Sequence, residues 1–300
     1  MKLERALSRI ATIHQQHSLK CALAMGTLKR RFDWPQVEWQ RLEQLVDAQE
    51  PVFEGAILTS NAVPYAAVGK RRHWILAHGV YPYAYYTMLD WFNTASAESI
   101  FDHYLELCTR QNRYLSHDVS ILLAFQAAWP LLSSSTERLR FIERFCEFVT
   151  CTFYDEHRPA EPLPPGFVAV SDLSPQRGLD TVLRRPGFWG HNVILLSWLL
   201  RPESRLNDRV KRVLLTHLHS QCHWQFDDPL DCPDVQPQAT SAADEAALEF
   251  ACRRLLLGRA DNLHQITLAE AIVHLYSQPW VTREQQLGLL DVALHFSGQG

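Results

Sequence analysis

Residues 136–154 read TERLRFIERFCEFVTCTFY, and large apolar side chains recur in this stretch three or four positions apart. That interval places side chains on one face of an α-helix, because the helix has about 3.6 residues per turn. Thr136 is a suitable N-cap at its start. The stretch therefore predicts a helix with one buried face, formed by Leu139, Ile142, Phe145, Val149 and Phe153.

The same periodicity runs through most of the chain. No Asn-Gly or Asp-Gly pair stands between alternating apolar runs, so β-hairpins are not expected. Further helices are predicted at 96–109, from Asp33 with Pro35 in the first turn, from Ser241 over 242–258, and from Thr282 with Glu284 through Leu294. We expect an all-α fold in which residues 1–300 form one large domain of about a dozen helices, packed as a bundle or as stacked helix pairs.

Two stretches interrupt the helical pattern. Residues 155–176 contain five prolines and predict a proline-rich loop. Residues 225–240 contain three prolines and four aspartates and predict an irregular acidic loop.

The charge of the chain argues against a nucleic-acid partner. Its formal net charge is −4, so there is no basic excess to meet phosphates.

Hydrophobic residues make up 47% and charged residues 21%, which is typical of a globular protein and excludes disordered and fibrous classes.

Cysteine usage and the N-terminus favour a cytoplasmic protein. The seven cysteines are odd in number and form no C-x-x-C pair, which argues against a disulfide framework. The first residues have mixed charge and no apolar core of a secretory signal. The longest apolar stretch, at 193–200, is far shorter than the roughly 20 residues that a bilayer span needs.

The histidines are the residues that most suggest a functional site. The chain has fourteen histidines, and several stand in apolar segments. A buried polar group without a partner costs about 1–3 kcal/mol, and neutral imidazole is the commonest metal ligand near neutral pH. A hydrogen-bonded core histidine remains the simpler interpretation of any single one. Together they suggest one metal site, with the candidate ligands His14, His17, His78, His191 and His264.

Residues near these histidines in sequence are candidates for supporting roles. Tyr85, seven positions after His78, is a candidate catalytic group that would hydrogen-bond a substrate, although an aromatic core residue is the plainer interpretation. Trp74 and Trp189 are candidates for the wall of a substrate pocket. Asn192, Asp261 and Glu270 are expected to accept hydrogen bonds from the ring nitrogens of the ligand histidines that do not bind the metal.

A rival cluster lies at residues 217–223, HLHSQCH. His219 and His223 are four apart, which suits a metal on a helix, and Cys222 is adjacent. The flanks are polar, so an exposed helix end is the favoured interpretation, with the helix dipole stabilising cationic histidines.

The phrases around the main histidines resemble the questin oxidase-like family, a group of helical non-haem iron oxygenases. His14-Gln15-Gln16-His17 is similar to its N-terminal H-x-x-H phrase, and His78-Gly79 to its His-Gly phrase at a helix start. His191-Asn192-Val193 is similar to the third phrase. Residues 262–271, NLHQITLAEA, resemble the fourth, roughly Asp-x-His-x-Ile-Lys-x-x-Glu-Ala.

The resemblance implies an all-α fold in which the histidines bind iron that activates dioxygen. It also implies oxidative C–C cleavage of Baeyer–Villiger type on aromatic polyketides such as anthraquinones. In one position the chain departs from the family pattern, because Thr267 stands where members carry a lysine that joins the metal site. A hydroxyl is a poor iron ligand, so the site would be all-histidine or would recruit Glu270 or water.

The leading hypothesis is an O2-dependent non-haem iron oxidoreductase acting on a small aromatic or polyketide-like substrate. Fe(II) is the expected metal from the resemblance, although imidazole donors suit Zn(II) and Cu(II) about equally. The need for a reductant such as NADPH is left open. The alternative is a non-catalytic helical binding or accessory protein that keeps the fold without the lysine.

Overall fold

The computed structural model describes residues 1–10, 16–53, 55–110, 115–154, 173–224, 233, 235 and 242–298. Within these ranges the chain forms fourteen α-helices and no β-strand, apart from one isolated bridge between Arg9 and Val52. The all-α prediction is confirmed.

Three of the connections between consecutive helices contain a single turn of 3-10 helix, at Trp129–Leu131, Phe188–Gly190 and Pro202–Ser204. In chain order the helices are α1 (Leu3–Leu7), α2 (His17–Arg31), α3 (Gln36–Gln49), α4 (Lys70–Ala77), α5 (Tyr83–Thr94), α6 (Ala97–Arg110), α7 (Leu115–Ala128), α8 (Ser135–Thr152), α9 (Pro175–Arg184), α10 (His191–Leu200), α11 (Asp208–Gln221), α12 (Glu245–Arg253), α13 (Leu263–Tyr276) and α14 (Arg283–Ser297).

The predicted start of α8 is wrong by two residues. Ser134, not Thr136, is the N-cap, because its hydroxyl accepts from the backbone N–H of Glu137 while the Glu137 side chain accepts from the backbone of Ser134. This reciprocal capping box satisfies two donors that a helix start otherwise leaves open. The predicted Thr282 cap of α14 is confirmed, with Gln285 completing the box.

Two other predicted starts differ from the structure. Pro35 is the N-cap of α3, with no side-chain cap from Asp33, because the proline already fixes the turn into the helix. Asp244 caps α12, which ends at Arg253 and continues as a π-helical turn over Arg254–Gly258. Ser241, residues 155–172 of the predicted loop at 155–176 and most of the predicted loop at 225–240 lie outside the described residues. The predicted end of the first loop is wrong, because Pro175 and Gln176 form the first turn of α9 behind the N-cap Ser174.

The centre of the molecule consists of helices that are buried on nearly every side. In α13 all residues except His274 are buried, and in α10 all except Leu200. Helices that are apolar all round belong in a protein interior. α13 packs against α2, α10 and α14, while α7 packs against α2 and α10. The four helices α2, α7, α10 and α13 therefore surround one interior region.

None of the described helices combines the length and the apolar character that spanning a bilayer requires.

Candidate metal centre

Four helices of the core begin at the same place, and each has a histidine in its first turn. His17 is the first residue of α2, His117 the third of α7, His191 the first of α10 and His264 the second of α13. His191 and His264 are buried, and His17 and His117 are partly exposed. The packing of these helices thus brings residues together that are up to 247 positions apart in the chain, from His17 to His264.

Three of these imidazoles form a compact group. One ring nitrogen each of His17, His117 and His264 lies within 4.8 Å of the other two. The Nε2 atom of His117 is 3.4 Å from Nε2 of His17 and 3.2 Å from Nε2 of His264. Among the described residues this is the one group of three or more histidine, cysteine or carboxylate side chains close enough to hold a metal ion.

These separations agree with ligation of a single ion. Imidazole nitrogens bind transition metals at about 2.0–2.1 Å, so two that share an ion stand about 3.0–3.4 Å apart, depending on the coordination geometry. The two short Nε2 separations of His117 fall in that range.

The outer nitrogen of His264 has an acceptor of its own. Its Nδ1 is 2.6 Å from the Oδ1 atom of Asn262, which also accepts from the backbone N–H of His264. An amide oxygen can only accept, so this contact assigns the ring proton to Nδ1. Nε2 then presents its lone pair to the other imidazoles, which is how metal-binding histidines are usually held.

Glu50 is the acceptor beside the outer nitrogen, Nδ1, of His17. Its carboxylate is 3.3 Å from Nδ1 of His17 and accepts from the backbone N–H groups of His17 and Ser18 at the start of α2. Burial raises the pKa of Glu50, but the hydrogen bonds and the charge of His17, together with the bonds from Ser18, outweigh it and leave the pKa below its usual value. Glu50 therefore caps α2 as a carboxylate and orients His17 at the same time.

His191 adjoins the group from α10. Its ring centroid lies 4.6 Å from that of His117 and 4.4 Å from that of His264, with both pairs edge to face. The ring of Phe188 lies beside His191 and His264, at 5.7 and 6.3 Å, and contributes an apolar wall. The centre is thus a cluster of four imidazoles.

The surroundings favour the neutral form of His117, His191 and His264. Burial, reinforced by the other histidines and by Lys20, holds the pKa values of His117 and His264 well below the usual range. Burial lowers the pKa of His191 in the same way, again with Lys20 and His17 adding to the effect. Neutral imidazole is the form that binds metals.

A buried lysine lies one turn along from the histidines. Lys20 is fully buried on α2, three residues after His17, and its Nζ atom donates to the hydroxyl of Ser120 at 2.9 Å. Ser120 is itself three residues after His117 on α7 and donates to the backbone oxygen of Ser116. Burial lowers the pKa of Lys20 to about 8.

The structure does not bring His78 to the cluster. His78 is the exposed C-cap of α4 rather than a residue at a helix start, and its ring stacks on Trp74 at 4.6 Å. Its Nδ1 contacts the backbone oxygen of Trp74. His14, the other proposed ligand, lies outside the described residues.

The three proposed aromatic residues have partners other than the clustered histidines. Trp74 is 56% exposed and so does not wall a buried pocket. Trp189 is partly buried and packs on Phe296 and Phe188. Phe188 in turn contacts His191 and His264, so its ring lies between Trp189 and these histidines. Tyr85 donates to Glu147 at 2.9 Å, and burial together with that carboxylate raises its pKa.

The proposed supporting residues also have other partners. Asp261 is exposed, and its neighbour Asn262 supplies the acceptor for His264. The Thr267 hydroxyl donates to the backbone oxygen of His264 at 3.0 Å, as threonine often does inside a helix. Glu270 forms an ion pair with Arg201.

Asn192 holds the start of α10 through both ends of its side chain. Its amide nitrogen donates to the backbone oxygen of Arg185, and its oxygen accepts from Gln221 at 2.6 Å.

The rival cluster on α11 does not form a three-residue group within the described part of the chain. The rings of His219 and His223 are in contact at 4.6 Å, and His223 is exposed. Nδ1 of His219 lies 3.4 Å from the hydroxyl of Thr181.

Sequence reasoning missed His117 and Glu50. His117 stands in Leu115-Ser116-His117-Asp118-Val119, at the start of a helix that is also mostly apolar, so the rule that selected His191 also applied to it. Glu50 carries no such signal, because a glutamate at the end of an amphipathic helix resembles any exposed residue.

Comparison of the chain with protein-family models, with curated proteins and with solved structures finds no match. The function has to be argued from the site itself.

Proposed function

We propose that the chain is a metalloprotein whose imidazole cluster binds one Fe(II) ion and uses it in an O2-dependent oxidation of a small aromatic molecule. The observation that carries the metal site is the convergence of three Nε2 atoms, two of which belong to rings anchored through Nδ1 by Glu50 and Asn262. An ordinary core histidine needs one partner, whereas here three rings point the same nitrogen at one another.

The choice of iron and of oxidation rests on the donor set and on the resemblance described above. Neutral imidazoles suit Fe(II), and iron held in this way supplies one-electron chemistry with dioxygen when bound. Three histidines of the resembling phrases, His17, His191 and His264, belong to the cluster, and His117 adds a fourth imidazole.

The residues of the chain have defined tasks in such a reaction. Glu50 and Asn262 would hold the Nδ1 protons on the side away from the metal, and Phe188 with the buried first turns of α10 and α13 would exclude water. Insertion of one oxygen atom of O2 into a C–C bond converts the other to water. That step consumes two electrons and two protons, for which a reductant such as NADPH would be needed.

A non-catalytic accessory protein is the second candidate, and one observation favours it. Four clefts among the described residues are lined by residues other than the four clustered histidines. None of these four clefts therefore offers a substrate as large as an anthraquinone a place beside the histidines. Access is available through the partly exposed sides of His17 and His117.

Metal analysis with matched variants tests the proposal. Wild-type protein, purified anaerobically and loaded with Fe(II), should hold about one iron per chain and consume O2 when given an aromatic substrate and NADPH. His264→Ala should lose the metal, whereas His219→Ala should retain it. Circular dichroism and thermal melting establish that both variants are folded. Iron binding without O2 consumption would favour the accessory role, and retention of iron by folded His264→Ala would refute the site.

A further inference from the structure

The charges around the cluster are balanced without a metal. Lys20 and Arg201 are cationic, while Glu50 and Glu270 are anionic, and Glu270 is paired with Arg201. A divalent ion held by neutral imidazoles would add two positive charges to this buried region. Buried charge is strongly unfavourable unless it is compensated, so the loaded centre calls for an anion.

The backbone adds to the positive potential. α2, α7, α10 and α13 all begin at the cluster, since each has its histidine among its first three residues. A helix N-terminus carries a partial positive charge equivalent to roughly half a proton. The carboxylate of Glu50 offsets this at α2, while the first N–H of α7 and that of His264 in α13 are bonded to the neutral amides of Gln221 and Asn262.

Lys20 is placed to contact a ligand of the metal. It follows His17 by three residues, about 4.5 Å along the helix axis, and helical side chains lean back toward the N-terminus. Among the described residues Ser120 is the one group that accepts a hydrogen bond from its Nζ, although an ammonium has three donors. Ser120 follows His117 by the same three residues, so the Lys20–Ser120 contact lies directly alongside the His17–His117 contact.

We infer that the metal centre binds an anionic oxygen ligand, a carboxylate or an enolate, that bridges the metal and the ammonium of Lys20. This inference rests on the proposed metal site and goes beyond it, because it assigns a ligand class and a binding residue. A substrate with an ionised oxygen beside its reacting carbon, such as an enolised ketone, fits the site better than a neutral hydrocarbon.

Azide binding to the Co(II)-loaded protein tests the inference. Co(II) reports its ligands through its visible absorption, and azide serves as the anionic probe. In Lys20→Met, which removes the charge and keeps a long apolar side chain, azide should bind at least tenfold more weakly, because a hydrogen bond from a charged donor to the anion is lost. Co(II) itself should bind with equal or higher affinity, because a like charge has been removed.

Ser120→Ala is the matched control. It removes the neutral partner of Lys20 but not the ammonium, so azide affinity should stay within about threefold of wild type. Equal azide affinity in wild type and Lys20→Met would overturn the inference, as would a wild-type Co(II) protein that binds no azide. Loss of Co(II) in folded Lys20→Met would also overturn it, because Lys20 would then be a metal ligand. A wild-type protein that binds no Co(II) would instead refute the metal site itself.

Discussion

A neutral imidazole binds a metal through the nitrogen that lacks a proton, so the contact of its other nitrogen determines whether it is ready to bind. The contact at Nδ1 is made by Asn262 for His264 and by Glu50 for His17. Both residues also cap the helix on which their histidine lies, through backbone N–H groups of the first turn. Helix start and ligand orientation therefore depend on the same side chains.

Asn262→Ala should separate these two roles. We expect metal affinity to fall by about 10- to 100-fold, because the Nδ1 acceptor of His264 is lost. The free energy of unfolding should fall by about 1 kcal/mol, because the N-cap of α13 is lost. Chelator competition and urea denaturation measure the two effects.

Asn262→Asp is the control, since its carboxylate accepts the same hydrogen bonds. It should retain most of both properties. If the alanine variant lost stability but kept full metal affinity, Asn262 would be a cap only and the assigned orientation of His264 would be wrong.

At the scale of the helices, the site depends on close approach at the start of α10. Gly190, the N-cap of α10, has φ +75°, and a Cβ built there would lie 2.5 Å from Cδ1 of Leu268 on α13. Only glycine meets both conditions without strain. The contact sets how near α10 comes to α13, and so how near His191 comes to His264.

Gly190→Ala should therefore be strongly destabilising. A left-handed backbone and an overpacked contact each cost about 1–3 kcal/mol, so we expect a loss of about 2–6 kcal/mol in the free energy of unfolding. Gly258→Ala is the control, because a Cβ there meets no atom within 4 Å. Similar urea midpoints for the two variants would contradict the packing described for α10 and α13.

At the scale of the whole molecule, buried histidines make stability depend on pH. Burial holds the pKa values of His117, His191 and His264 well below those of the unfolded chain. The unfolded state therefore binds more protons below about pH 6.5, and stability must fall as the pH falls.

We expect the free energy of unfolding of the metal-free protein to be constant from about pH 6.5 to about pH 7.5, below the titration of Lys20 near pH 8, and to decrease below about pH 6.5. The slope should reach about 1.4 kcal/mol per pH unit for each histidine that stays neutral in the folded state. Urea denaturation across this range measures the slope. Stability that does not change down to about pH 5 would show that these histidines are not held neutral by burial.

The fold was predictable from sequence because helical periodicity is local. The apolar spacing in 136–154 and the cap at Thr282 can each be recognised from a few neighbouring residues. Some exact helix starts were predicted wrongly, as at Ser134. The site was predictable in part, since histidines in apolar segments selected His191 and His264. Tertiary contacts decided the rest. Whether His117 or His78 joined the cluster depended on which helix starts meet, and this is not encoded in spacing.

X-ray absorption at the K-edge of the bound metal in the loaded wild-type protein tests the central claim most directly, because it counts the imidazoles on the metal. We predict at least three histidine rings with nitrogens at about 2.0–2.2 Å and no sulfur ligand. A shell of water oxygens alone, or a cysteine sulfur at about 2.3 Å, would contradict the account.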